Sequence, residues 1–161
     1  MKKIIALVLI LVISVSLVSC FEEKSQDFSA EGMTITLTSS FSKLDYEGFT
    51  ACYISPTVAV FTLKEPFSIS ADFGDLTLSE YANLVHSVNA ERNPTEIINE
   101  DGLTYMEYVF YNEQEDMTYK YFSARFKASD AFWLIQFSTV KDFYDEKKPQ
   151  FFEWAKSVKF E

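Results

Sequence analysis

The chain has 161 residues, with 24 acidic side chains against 14 basic ones and a formal net charge of −10. That length suits one ordinary domain with a core of its own. The acidic balance excludes nucleic-acid binding, which needs lysine and arginine clustered on one face. An acidic body is also repelled by anionic lipid and wall polymer, so only a dedicated anchor brings it to a membrane.

Lys2 and Lys3 precede an unbroken apolar run from Ile4 to Ile13, and a segment of small residues from Ser14 leads to Cys20. Charge, short apolar core and small-residue exit are the three parts of a secretory signal. A spanning helix needs about 20 apolar residues, and Ile4 to Val18 is both shorter and interrupted by Ser14 and Ser16. Leu17-Val18-Ser19-Cys20 resembles the lipobox of bacterial lipoproteins: an aliphatic residue, a tolerant position, a small residue, a cysteine. The resemblance implies a diacylglyceryl thioether on Cys20 and a mature chain that begins there. The domain is then held on the extracytoplasmic face of the cell membrane. Two or more acyl chains anchor stably where one, at ~0.8 kcal/mol per buried CH₂, does so only marginally.

Residues 1–19 thus read as signal peptide, 20–30 as a lipidated tether without periodicity, and 31–161 as one domain. Met33 to Thr38 alternates apolar residues with threonine, the period-2 mark of a half-buried strand. Phe49–Ile54 and Val58–Leu63 read as further strands joined by a turn at Ser55-Pro56-Thr57. Leu78, Tyr81, Ala82, Val85 and Val88 recur at helical spacing, and Thr77 with Glu80 forms a capping box that opens a helix from Leu78 to Asn89. Glu96–Asn99 is a weak strand before the turn Glu100-Asp101-Gly102. Thr104–Tyr111, Met117–Ala128 and Ala131–Val140 are aromatic strands in a meander. A short turn near Phe143 to Glu146 and a helix starting at about Pro149 close the chain, since proline suits a first helical turn. The sum is α+β: an antiparallel sheet of six or seven strands flanked by two helices.

Catalytic chemistry finds little to work with. His86 is the sole histidine, placed about 130° from the apolar stripe of its helix, beside Ser79 and Asn83, and reads as solvated. Cys52, without an intrachain partner once Cys20 is lipidated, reads as a small buried hydrophobe in a strand. No glycine-rich loop, nucleophile elbow or zinc-ligand spacing occurs. The acidic run Glu113-Gln114-Glu115-Asp116 lacks an EF-hand's alternation and central glycine, and reads as a solvated hairpin tip. The expectation is therefore a non-enzymatic protein with neither cofactor nor metal.

Aromatic content, at 17%, is the unusual feature. Most of these rings should fill core, and tyrosine is favoured where some do not. Tyr53, Tyr105 and Tyr119, at the sheet edge or loop ends, are the candidate binding surface.

Leu76-Thr77-Leu78-Ser79-Glu80-Tyr81 opening a helix, Asp101-Gly102-Leu103 leading into aromatic strands, and a final Trp154-Ala155-Lys156-Ser157-Val158-Lys159-Phe160 resemble the PsbP-like superfamily. Ser55-Pro56-Thr57-Val58-Ala59-Val60-Phe61 and Ala131-Phe132-Trp133-Leu134-Ile135-Gln136-Phe137 are similar to phrases of uncharacterised Gram-positive lipoproteins within it. The likeness runs from about Gly32 to Phe160. It implies an α/β/α sandwich and, since the superfamily is mostly accessory and binding proteins, an accessory module for a protein or envelope component. A small-solute binder with an aromatic cleft is the alternative. No catalytic motif belongs to the superfamily, so no site residue is carried over.

Metabolic labelling with a fatty-acid analogue should mark the chain and leave Cys20→Ser unmarked. Equal labelling of the two would overturn the lipobox reading.

Overall fold

A computed structural model describes residues 23–161; the signal segment and Cys20 lie outside them. Among the described residues, ten strands and two α-helices follow in chain order. They are β1 (Ser25–Ala30), β2 (Met33–Thr38), β3 (Ser42–Leu44), β4 (Ala51–Ile54), β5 (Ala59–Pro66), α1 (Leu78–Val88) and β6 (Ile98–Glu100). Then come β7 (Leu103–Asn112), β8 (Met117–Lys127), β9 (Ala131–Val140), α2 (Tyr144–Lys156) and β10 (Lys159–Phe160). Seven strands form one antiparallel sheet in the order β3-β4-β5-β9-β8-β7-β6, and β1, β2 and β10 form a second, small one. The architecture is α+β.

Local signals account for most boundaries. Thr77 caps α1 by accepting from the Glu80 backbone N–H while Glu80 reaches back to the Thr77 N–H, a reciprocal capping box. Asp101 and Gly102 both take left-handed φ, of 48° and 82°, the pair that a two-residue hairpin turn requires. They join β6 to β7. The meander β7-β8-β9 follows in the register Tyr105↔Ala124↔Ile135 and Tyr108↔Tyr121↔Ser138.

Because side chains alternate across strands, the register sorts the large sheet into two faces. One face presents Val60, Tyr105, Phe122, Ala124, Trp133, Ile135 and Phe137, all buried. α2 packs on it through Tyr144, Phe151, Trp154 and Ala155, and the small sheet through Met33, Ile35 and Leu37. Phe137 stacks on Phe151 at 5.5 Å and Tyr105 on Phe122 at 4.4 Å. Fully burying each such ring contributes roughly 1.5–3 kcal/mol. The opposite face carries α1, whose Tyr81 stacks on Phe132 at 4.2 Å and donates a hydrogen bond to Glu65.

The structure corrects several expectations. The segment expected as tether holds β1, paired with β2 through six residues and sealed by Phe28. Its few apolar residues hid it, since an edge strand needs only one inward ring. Met33–Thr38 belongs to the small sheet rather than the large one, where β3 takes the outer place. β3 and β10, three and two residues long, are too short to show a period. α2 begins at Tyr144 rather than at Pro149, which sits inside the helix. Burial of the Tyr144 ring against Phe151 offsets the backbone hydrogen bond that an interior proline forfeits. Val88, expected on the buried stripe of α1, is 83% exposed, because this helix buries only Tyr81 and Ala82.

Thr77→Ala removes the α1 cap and should cost about 1 kcal/mol. A lower urea midpoint at unchanged slope is the expected readout.

Candidate functional site

α1 covers only one end of its sheet face. Beyond it, Phe61 of β5, Tyr108 and Phe110 of β7, Tyr121 of β8 and Gln136 of β9 lie side by side, because their registers place them on the same face. The segment between β3 and β4 supplies one wall: Phe49 lies 5.0 Å from Phe61, with Tyr46 packed on both. The short turn Ala90–Arg92 after α1 supplies the other. It drops the Arg92 guanidinium over Tyr108 and Phe110, at 5.4 and 5.7 Å from their ring centres.

The result is an aromatic trough. Its inner part encloses about 180 Å³, and an outer part of about 290 Å³ continues past Ala59, Glu115, Tyr119 and Ser138. Tyr121 stacks on Tyr108 at 4.7 Å and 6°. Tyr46 is 58% exposed and Phe110 40%, a patch of apolar rings left open to water.

The floor is polar. Ser123, Arg125, Gln136 and Ser138 are buried on this face. Gln136 donates to the Ser123 hydroxyl at 3.4 Å, and Arg125 Nη1 to the Ser123 carbonyl at 2.7 Å. Burial pulls the Arg125 guanidinium down to about 10 while the phenols of Tyr81 and Tyr108 act the other way. Burial pushes the Tyr108 phenol up to about 12, and the charges of Arg92 and Arg125 oppose that rise.

A second charged cluster lies on the far face. Glu107, buried on β7, meets Lys148 of α2 at 2.5 Å and Lys120 of β8 at 3.0 Å. Burial raises the Glu107 carboxyl, but the two lysines outweigh it and hold the group below the usual carboxylate range. With its charge taken up by both lysines, Glu107 fastens α2 to the sheet.

Of the three tyrosines expected at a surface, the structure brings one to the trough. Tyr119 is half-buried along its outer part and donates to Glu115 at 2.6 Å. Tyr53 and Tyr105 are each 1% exposed and point into the core, Tyr53 against Phe28 and Tyr105 against Phe122. One residue of register decides between those outcomes. Arg92, Phe61, Phe110, Tyr121 and Gln136 were not singled out. Polar residues at alternate positions, Ser123 and Arg125 on one strand and Gln136 and Ser138 on the next, were the available signal that one face is not plain core.

His86 is half-buried rather than solvated, with Nε2 3.2 Å from the Thr95 carbonyl. Cys52 is buried as expected, opposite Phe61 in the β4–β5 register. Among the described residues no group of three or more histidine, cysteine, aspartate or glutamate side chains could hold a metal ion. No helix among them is long and apolar enough to cross a membrane.

No family model and no curated protein matches this sequence. Solved structures do. Cyanobacterial PsbP (CyanoP) from Synechocystis sp. PCC 6803 superposes with a TM-score of 0.54 at 14% identity, over 91% of this chain and 98% of that one. The fold is PsbP-like. A protein from Bacteroides thetaiotaomicron VPI-5482 matches this chain with a TM-score of 0.58 at 10% identity, over 84% of it. The match spans about half of that longer protein, 48% of its chain.

Burial pushes the Cys52 thiol up to about 11, and the thiolate is the form that reacts. Alkylation of the native domain at pH 8 should therefore be slow, quicken as pH rises toward 11, and be fast in urea. Equal native and urea rates would contradict a buried thiol.

Proposed function

We propose that the chain is a non-enzymatic accessory lipoprotein, held outside the cell membrane through Cys20, that binds a partner protein or envelope component with the aromatic trough. The observation that carries this reading is the open row of rings, Tyr46, Phe61, Phe110 and Tyr121, on a sheet face that α1 leaves uncovered. Aromatic residues with exposed apolar area are what binding surfaces concentrate. The likeness to cyanobacterial PsbP supports the fold side of the reading only, since shared fold does not carry function.

The small-solute alternative rests on another concavity. About 550 Å³ lies between the turn Ser55–Ala59 and Tyr119, Val140 and Phe143. That volume falls within the range of about 300–1,000 Å³ usual for ligand pockets, whereas the inner trough does not.

Photo-crosslinking in cells separates the two. A photoreactive residue in place of Phe110 or Tyr121 should yield an adduct of discrete mass, and one in place of exposed Glu153 on α2 should not. Tyr46→Ser should abolish the adduct while costing no more than about 1.5 kcal/mol of stability, since the ring is 58% exposed and packs only on Phe49 and Phe61. Adducts independent of position would defeat the trough. A solute that co-purifies and is lost on Val140→Trp would promote the alternative.

A further inference from the structure

Five strand ends meet on one side of the large sheet. β4 ends there, β5 begins, β9 ends, β8 begins and β7 ends, as the pairs Ile54↔Ala59, Ala59↔Ser138, Tyr119↔Val140 and Phe110↔Tyr119 fix. Among the described residues, eleven large apolar side chains are exposed, and five of them belong to this end: Ile54, Phe110, Tyr111, Met117 and Phe143. Apolar area gathered at one end of an acidic domain marks an interaction surface. Part of it is already shaped. Ile54, Val140 and Phe143 line a concavity of about 550 Å³ with Tyr119 and the turn Ser55–Ala59. The Ser55 N–H donates to the Val58 carbonyl at 2.9 Å, and the Thr139 hydroxyl to the Thr57 carbonyl at 2.8 Å. Those bonds hold the walls in place before anything covers them.

The chain enters the domain on the other side of the same turn. Glu23 lines a second concavity with Thr38 and Trp154, and the two concavities share Ser55, Pro56, Thr57 and Val58. The Lys24 carbonyl accepts from the Ser39 N–H at 2.7 Å, which fixes the entry point. Cys20 lies three residues before Glu23, a reach of at most about 11 Å. A lipid carried there is therefore attached within one short span of the apolar end. Charge limits how that end can meet a membrane. Glu115 lines the concavity, and Asp142 and Glu146 flank Phe143 together with Lys141 and Lys147. This mixture offers no cationic patch to attract anionic lipid. Contact has to be apolar and has to rely on the tether, which makes it an intramolecular event at an effective concentration on the order of mM.

Resting on the reading of Cys20 as the lipid anchor, we propose that this end of the domain seats on the membrane that holds the anchor. Phe143, Ile54 and Val140 enter the boundary between headgroups and acyl chains, the level at which aromatic side chains are favoured. The bilayer, rather than a solute, then closes the concavity beside the turn Ser55–Ala59. β5 runs away from the membrane, from Ala59 to Pro66, and its length of roughly 23 Å sets the exposed Ile69 well clear of lipid.

The test adds one exposed tryptophan to a chain whose own two, Trp133 and Trp154, are 1% and 8% exposed. The lipid-modified full chain, carrying Phe143→Trp or Ile69→Trp, is purified in detergent and reconstituted into phosphatidylcholine vesicles. The vesicles are either plain or brominated near the headgroup end of the acyl chains, and flotation with them checks the anchor first. The emission added by Phe143→Trp should fall about twofold or more in brominated vesicles, as for a ring at the headgroup–acyl boundary. The emission added by Ile69→Trp should be the same in both. Equal Phe143→Trp emission in the two vesicles, from a chain that floats, would overturn the seat and leave the anchor standing. Equal quenching of Ile69→Trp and Phe143→Trp would overturn it too, since no end would then be preferred. A Phe143→Trp side chain shielded from aqueous acrylamide but untouched by brominated lipid would show that a second copy or a solute covers this end, and the seat would again fall. A chain that does not float removes the anchor and this inference with it.

Discussion

A sheet of seven strands about 4.8 Å apart is roughly 29 Å wide, and one α-helix covers only about 10–12 Å of it. Everything distinctive about this domain follows from how that width is shared out. On one face the shortfall is met: α2 and the small sheet together bury Phe122, Trp133, Ile135 and Phe137. On the other, α1 and the short turns bearing Phe67 and Phe73 gather over Phe132 at one end. The remaining strip, from Phe61 to Phe110, is left to a wall of two aromatic residues and one arginine.

The two faces are also chemically different, which an evenly covered sheet would not need. Beneath α2 the strands contribute rings and aliphatic chains, and the charged Glu107 is tied off by Lys120 and Lys148. Beneath α1 and the trough they contribute Ser123, Arg125, Gln136 and Ser138; Arg125 and Gln136 both bond to Ser123, and Arg125 keeps two nitrogens without a partner among the described residues. Buried polar groups are stabilising only when their partners are complete. A fold that keeps an incomplete set at the base of an open trough has placed its least stable polar groups next to its most exposed rings.

β1 changes the relation of the domain to its proposed anchor. With the first strand beginning at Ser25, a lipid on Cys20 would be separated from folded structure by only the four residues 21–24, a reach of at most about 18 Å. Glu23 lines one concavity with Thr38 and Thr57, so the chain enters at the end of the sheet that carries the turn between β4 and β5.

The α+β class, the capped helix from Leu78, the Asp101-Gly102 turn and the aromatic meander were legible in the sequence. Each rests on a local signal: a capping box, two residues tolerant of left-handed backbone, alternation with polar loops between. β9 was legible to the residue, at Ala131–Val140, because turn and strand signals meet there without overlap. The lipobox at Cys20 is likewise a reading of sequence alone. Only the tertiary structure decided which rings face water. Tyr53 and Tyr121 have similar strand surroundings, yet one fills the core and the other lines the trough, because facing is set by a register that spans the sheet. It also decided that β1 exists, that Pro149 stays within a helix, and that Arg92 lies over the Tyr108 ring. Those outcomes depend on which distant surface each segment packs against, and local residue pattern carries no record of that.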